Sequence, residues 1–150
     1  MGRIDFYHLK RQSLEEVLPK LLQKAYASGK RILLKLPEEK VEEINALLWT
    51  YNDESFLPHG SKKDGFAEQQ PIWLTGTDIN ANNAQFLFLA CGVQAEVEYS
   101  KKFERVFNIF DGNDELALQQ ARNLWKTYKN ADFEVHYWQQ TSVGNWEQKV

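Results

Sequence analysis

Few residues of this chain are of types that do chemistry, and their spacing argues against most of it. The three histidines, His8, His59 and His136, lie far apart in sequence and show no metal-ligand spacing. The single cysteine, Cys91, sits within Phe-Leu-Phe-Leu-Ala-Cys-Gly. One cysteine excludes an internal disulfide and a cysteine-based zinc cluster, and this setting predicts a buried, inert thiol. Only spatial proximity to a histidine would make it a nucleophile. The acidic pairs Glu38-Glu39 and Glu42-Glu43 fall on a solvated helix face, without the opposed environments that separate a general acid from a general base. No G-x-x-x-x-G-K-[ST] loop and no G-x-G-x-x-G is present, and the first strand runs into Lys10-Arg11-Gln12-Ser13, with no glycine to cradle a phosphate. The residues therefore predict no catalytic site, no metal and no cofactor.

Recognition is better served. From Glu38 to Tyr51 the chain reads EEKVEEINALLWTY, and Val41, Ile44, Leu48 and Tyr51 recur at helical spacing as one apolar stripe. Trp49 lies roughly 110–130° around the helix from that stripe. A core-facing helix does not need a tryptophan there. Either Trp49 packs under the following loop or it anchors a partner, since off-stripe tryptophan buries much area at small entropy cost. The next segment, Asn52 to His59, is turn-rich and carries a second large aromatic, Phe56. The last helix offers another constellation. Ala117, Ala121, Leu124, Trp125 and Tyr128 line one face, and Gln119, Arg122, Lys126 and Lys129 another. Cations late in a helix favour its negative C-terminal end. The same cations beside aromatic side chains also make a ledge on which Arg122 can hold a carboxylate while an apolar group docks alongside.

These residues sit on a regular frame. Arg3–Leu9 alternates as a strand. Ser13, with Glu16 three residues on, caps a helix with Leu14, Val17, Leu18, Leu21, Leu22, Ala25 and Tyr26 on its apolar face. Pro19 is expected to kink that helix or delay its regular part, and Gly29 to end it. Lys30–Leu36 has the continuous apolar centre of a buried parallel strand. Further strands are expected at Pro71–Thr75, Phe86–Cys91, Phe103–Phe110 and Phe133–Trp138, with a helix from about Asp114 to Asn130. The strand-helix-strand-helix rhythm predicts an α/β fold with a mostly parallel central sheet flanked by helices. No repeat or linker interrupts it, so residues 1–150 are expected to form one domain, with a peripheral tail after about residue 140.

Composition narrows the classes further. At 43% hydrophobic and 26% charged residues, the chain can build a core and does not read as disordered. The net charge of −3 gives no global attraction for a phosphate backbone, so direct nucleic-acid binding would need a local basic patch. The start, Met1–Leu9, is too polar and short for a signal peptide, and no apolar run approaches membrane-spanning length. A cytoplasmic protein without membrane contact is expected.

Along nearly its whole length the chain resembles the chi-subunit family of bacterial DNA polymerase III. The likeness includes Phe6-Tyr7, Gly29-Lys30-Arg31-Ile32-Leu33 and, most specifically, Leu47-Leu48-Trp49 followed by Glu54-Ser55-Phe56-Leu57-Pro58-His59. Near the end, Ala121-Arg122 and Trp125-Lys126-Thr127-Tyr128-Lys129 are similar to a family stretch, with Phe133 in register. The resemblance implies a Rossmann-like fold used as an adaptor and not as an enzyme. Its implied partners are the psi subunit of the clamp loader and the acidic, phenylalanine-ended tail of single-stranded DNA-binding protein. It carries Trp49, Phe56, Pro58 and His59 over to the psi-facing surface. Arg122, Trp125, Lys126 and Lys129 carry over to the tail site, with Phe110 as an apolar wall. Trp125 replaces a family tyrosine, and a family lysine falls near Leu118, which leaves the cationic part of the tail site weaker or rebuilt around Lys129. On this reading the protein need not touch DNA, because its partner does. The competing reading is a small nucleotide- or nucleic-acid-associated α/β enzyme with an unrecognised site, for which a water-excluding pocket with perturbed titratable groups would speak.

Overall fold

A computed structural model describes residues 2–50 and 57–149. Apolar runs and short turns build strands β1 (Arg3–Leu9), β2 (Ile32–Lys35), β3 (Gly60–Ser61), β4 (Ile72–Thr75), β5 (Phe86–Leu89), β6 (Arg105–Asp111), β7 (Glu134–Gln140) and β8 (Trp146–Gln148), the runs being continuous at β2, β4 and β5. Helices α1 (Leu14–Tyr26), α2 (Glu38–Thr50), α3 (Val97–Ser100) and α4 (Glu115–Asn130) connect them. The strands form one sheet in the order β3-β4-β2-β5-β6-β1-β7-β8, parallel throughout except for the β7–β8 pair.

Strand alternation divides the core into two layers. Leu34, Phe88, Phe107 and Ile109 face α1 and α2, whereas Leu33, Leu87, Val106 and Phe110 face α4. Helices thus flank both faces, and α2 and α4 lie on opposite sides of the sheet. Two short strands escape the periodicity. β3 has two residues, and β8 pairs antiparallel with β7 within the segment expected to be peripheral. Trp146 turns back from β8 to pack edge-on against Tyr7, 5.1 Å between ring centroids.

The local signals hold at the helix ends. Ser13 and Glu16 form the reciprocal capping box of α1. The helix continues through Pro19, which is buried. The carbonyl that Pro19 leaves without its donor belongs to Glu15, an exposed residue whose backbone water can reach. Helix α1 ends earlier than expected, with Ala27 as its C-cap, and Gly29 takes the left-handed turn two residues later at φ +85.

Candidate functional site

Helix α2 buries Val41, Ile44 and Leu48 as its stripe, together with Asn45. Trp49, off the stripe, is 49% exposed, and its ring lies 4.3 Å from that of His59. His59 is only 2% exposed. Its Nδ1 lies 2.6 Å from the Leu57 carbonyl oxygen and its Nε2 3.2 Å from that of Asn45. The short contact selects the tautomer in which Nδ1 donates. Asn45 Nδ2 donates to Asp64 (2.7 Å), and Ser61 donates through its backbone N–H to Asp64 (3.0 Å) and through its hydroxyl to Glu42 (2.7 Å). The Ser61 N–H, helped by Asn45, holds the Asp64 carboxyl below the usual carboxylate range. This network ties the segment after α2 back onto the helix. It makes His59 a bed for Trp49 and not a surface contact, because its ring is buried and both its nitrogens face carbonyls. Pro58 is half-buried beside it. Phe56, expected on the same surface, lies outside the described residues, as does Tyr51 of the stripe.

Helix α4 begins at Asp114, whose carboxylate accepts from the N–H groups of Leu116 (3.0 Å) and Ala117 (3.4 Å). Ala121 and Tyr128 are buried, while Leu118, Leu124 and Trp125 pack on the core from partly exposed positions. Arg122, Lys126 and Lys129 are exposed and form no ion pair among the described residues. Lys129 Nζ stands 5.5 Å from the Trp125 ring centroid, a cation–π approach. The charge of Arg122 reaches two groups that the sequence did not connect with it, His8 and Tyr137. Burial lowers the His8 pKa from the ordinary imidazole value, and the charges of Lys10 and Arg122 act in the same direction. Burial raises the Tyr137 hydroxyl against the opposing effect of Arg122. His8 Nδ1 and Tyr137 Oη lie 2.7 Å apart. Phe110 is buried against both, with ring centroids 5.0 Å from His8 and 6.1 Å from Tyr137. The available signal was strand alternation, which puts Phe133, Val135 and Tyr137 on the α4 face. The close packing also explains Gly112, since a Cβ there would overlap the His8 ring.

The connection from β1 to α1 is where a nucleotide-binding α/β domain holds its phosphate. Here the backbone N–H groups of Lys10, Arg11 and Gln12 converge on a single atom, Gln140 Oε1, at 3.2, 2.8 and 3.0 Å. Gln140 is 2% exposed, and its Nε2 donates to Gln12 Oε1 at 2.8 Å. Converging amides of this kind make an anion nest, and a neutral side chain of the same molecule fills it. Beside this loop a cleft of about 680 Å³ opens outside the carboxyl ends of β1, β5 and β6. Cys91 borders it, but burial raises its thiol away from the reactive thiolate form. Among the described residues no three His, Cys, Asp or Glu side chains are placed to hold a metal.

Comparison with known proteins gives the chain its family. A family model described as "DNA polymerase III chi subunit, HolC" matches residues 1–136. The chain belongs to this family. It is 28% identical over 155 aligned positions to the "Probable DNA polymerase III subunit chi" of Rickettsia prowazekii (strain Madrid E), covering 97% of this chain and 91% of that protein. It is 22% identical over 125 positions to the "DNA polymerase III subunit chi" of Escherichia coli (strain K12), covering 83% and 84%. Membership makes the chain an accessory, non-catalytic subunit of DNA polymerase III, acting in DNA replication. The family match includes Trp49, His59 and all of α4, and stops before Tyr137 and Gln140. Two side chains that shape the surroundings of Arg122 and the β1–α1 loop thus come from the segment beyond it. No described helix is long and apolar enough to cross a membrane.

Proposed function

We propose that this chain is a cytoplasmic adaptor that joins the clamp loader, through psi, to the C-terminal tail of single-stranded DNA-binding protein. The psi-facing surface centres on Trp49, with His59 beneath it and Pro58 next in the chain to His59; Phe56, outside the described residues, is proposed as a second anchor of the same partner. The tail site lies on the exposed flank of α4. There Arg122 meets the terminal carboxylate, Lys126 and Lys129 attract the acidic residues upstream, and Trp125 borders the slot for the last phenylalanine. Tyr137 adds an aromatic border that the sequence reading did not include. The observation that supports this reading is that α2, which carries Trp49, and α4, which carries Arg122, lie on opposite faces of the sheet, an arrangement with room for two partners at once. The three exposed cations of α4 give the tail site its charge without a basic surface overall, so the adaptor needs no direct contact with DNA.

The test is a crossover between two variants. Trp49→Ala should cost psi binding about 2 kcal/mol or more and leave tail binding intact. Because half of the Trp49 ring rests on its bed, the free chain should also lose about 1 kcal/mol of stability. Arg122→Ala should weaken a labelled acidic peptide ending in phenylalanine more than Lys129→Ala does, since it loses a directed contact and not a screened charge. Removing the terminal phenylalanine should weaken the peptide as well, and added salt should reduce affinity without abolishing it. Equal binding of the two peptides, or loss of both partners in either variant, refutes the two-surface adaptor.

A further inference from the structure

The cleft at the carboxyl end of the sheet shares Phe110 with the expected tail site but none of its cations. It opens on the flank of α4 that carries Ala117, Gln120 and Leu124, away from Arg122 and Lys129. Its volume of about 680 Å³ falls in the range of small-molecule sites, and the crevice outside the carboxyl ends of the strands is where α/β sheets hold ligands. Leu89, Phe110, Ala121 and Leu124 supply apolar walls.

Asn108 sets the chemistry. It lies on β6 among the lining residues, on the α4 side of the sheet, and is 6% exposed. Its side-chain amide makes no hydrogen bond among the described residues. The amide is not sealed from solvent without a partner, unlike the Asn45 and Asn82 oxygens, so it opens on the cleft, where a ligand can pair with it in place of water. It presents a donor and an acceptor side by side, which matches the edge of a nucleobase. The surrounding charge points to a neutral ligand. Gln140 fills the amide nest of the β1–α1 loop, Asp114 occupies the first turn of α4, and Ser13 with Glu16 closes that of α1. The carboxylates of Glu15, Asp111 and Asp114 border the same space, and the cations of Lys10 and Arg11 beside them nearly cancel their charge.

We propose that this cleft binds an uncharged planar heterocycle of nucleobase type, held by the Asn108 amide between apolar walls, with the phosphate position closed by Gln140. The fold thus keeps a base pocket and excludes the nucleotide charge. This inference is independent of the adaptor reading, and neither fails with the other.

Adenosine is the probe, followed by amide chemical shifts of the full chain. Saturable shifts are expected in residues 9–14, 108–112 and 117–124. Asn108→Leu, close to isosteric, should weaken adenosine about tenfold or more. Ala117→Trp, on a partly exposed helix position, should block the cleft without touching Asn108, and it serves the test even if the Asn108 variant folds poorly. Adenosine monophosphate should bind no tighter than adenosine. Absence of saturable shifts with adenosine, unchanged affinity in a folded Asn108→Leu or Ala117→Trp variant, or tighter binding of the monophosphate each overturns the proposal.

Discussion

Replacing Gln140 tests whether one side-chain oxygen organises the loop between β1 and α1. In Gln140→Leu the N–H groups of Lys10, Arg11 and Gln12 lose their acceptor, and Gln12 loses the donor at 2.8 Å. At about 1 kcal/mol net for each hydrogen bond, four bonds set a ceiling of about 4 kcal/mol. Lys10 and Arg11 are exposed and Gln12 is half-buried, so water recovers part of this, and the expected loss is about 2–3 kcal/mol. Gln140→Glu should behave differently. The introduced carboxylate accepts the same three N–H groups as charge-assisted bonds in a nest that favours an anion. It should remain within about 1 kcal/mol of the parent at neutral pH, its gain offset by the lost donor to Gln12. Those bonds favour the charged form, so the folded pKa of the new group falls below its unfolded value of about 4.3. Its contribution is present above that value and is lost as pH falls toward the lower folded pKa. Urea denaturation at pH 7 and pH 4 gives the midpoint, and an unchanged slope assigns the effect to stability. A leucine variant within about 0.5 kcal/mol of the parent, or a glutamate variant as unstable as the leucine one at pH 7, would refute this account of the loop.

Asp5 is fully buried and receives Arg3 Nε (2.8 Å), Arg3 Nη2 (3.0 Å), Arg105 Nη2 (3.0 Å) and Trp138 Nε1 (3.0 Å). Asp5→Leu should cost about 3 kcal/mol in thermal or chemical denaturation, because the two guanidiniums lose their shared counter-charge; a cost under about 1 kcal/mol would show that solvent already compensates them. His8, with its pKa lowered by burial and by Lys10 and Arg122, stays neutral in the folded chain over a range where the unfolded chain takes up a proton. Its contribution is complete above an unfolded pKa of about 6.5 and is lost as pH falls through the window down to its lowered folded value. His8→Gln should therefore flatten the fall in stability between pH 7.5 and the acid side of that window, and an unchanged slope would place the proton uptake elsewhere.

What the sequence by itself determined was set by neighbours along the chain. The alternation of β1, the Ser13–Glu16 capping box, the α2 stripe with Trp49 off it, and the length of α4 all depend on contacts within a few residues. Those are the contacts that periodicity and capping rules encode. The family resemblance was legible for a related reason, since it consists of short blocks whose order survives in the chain. The tertiary structure decided the rest. Gln140 reaches Lys10–Gln12 from 128 to 130 residues away, and His8 meets Tyr137 across 129 residues. Either pair reads in sequence only as scattered polar residues. Strands β3 and β8 are too short to show a period, and each exists through a ladder partner. Position on the helical wheel placed Trp49 off the core but did not say what lay beneath it. That depended on His59, which looks like a surface residue in sequence and is buried because the chain after α2 folds back onto Asn45. Asn108 in an apolar strand gave no sign that its amide would open on a cleft. A side chain's chemistry is local, whereas its hydrogen-bond partners and the water it loses are set by whatever the sheet order brings beside it.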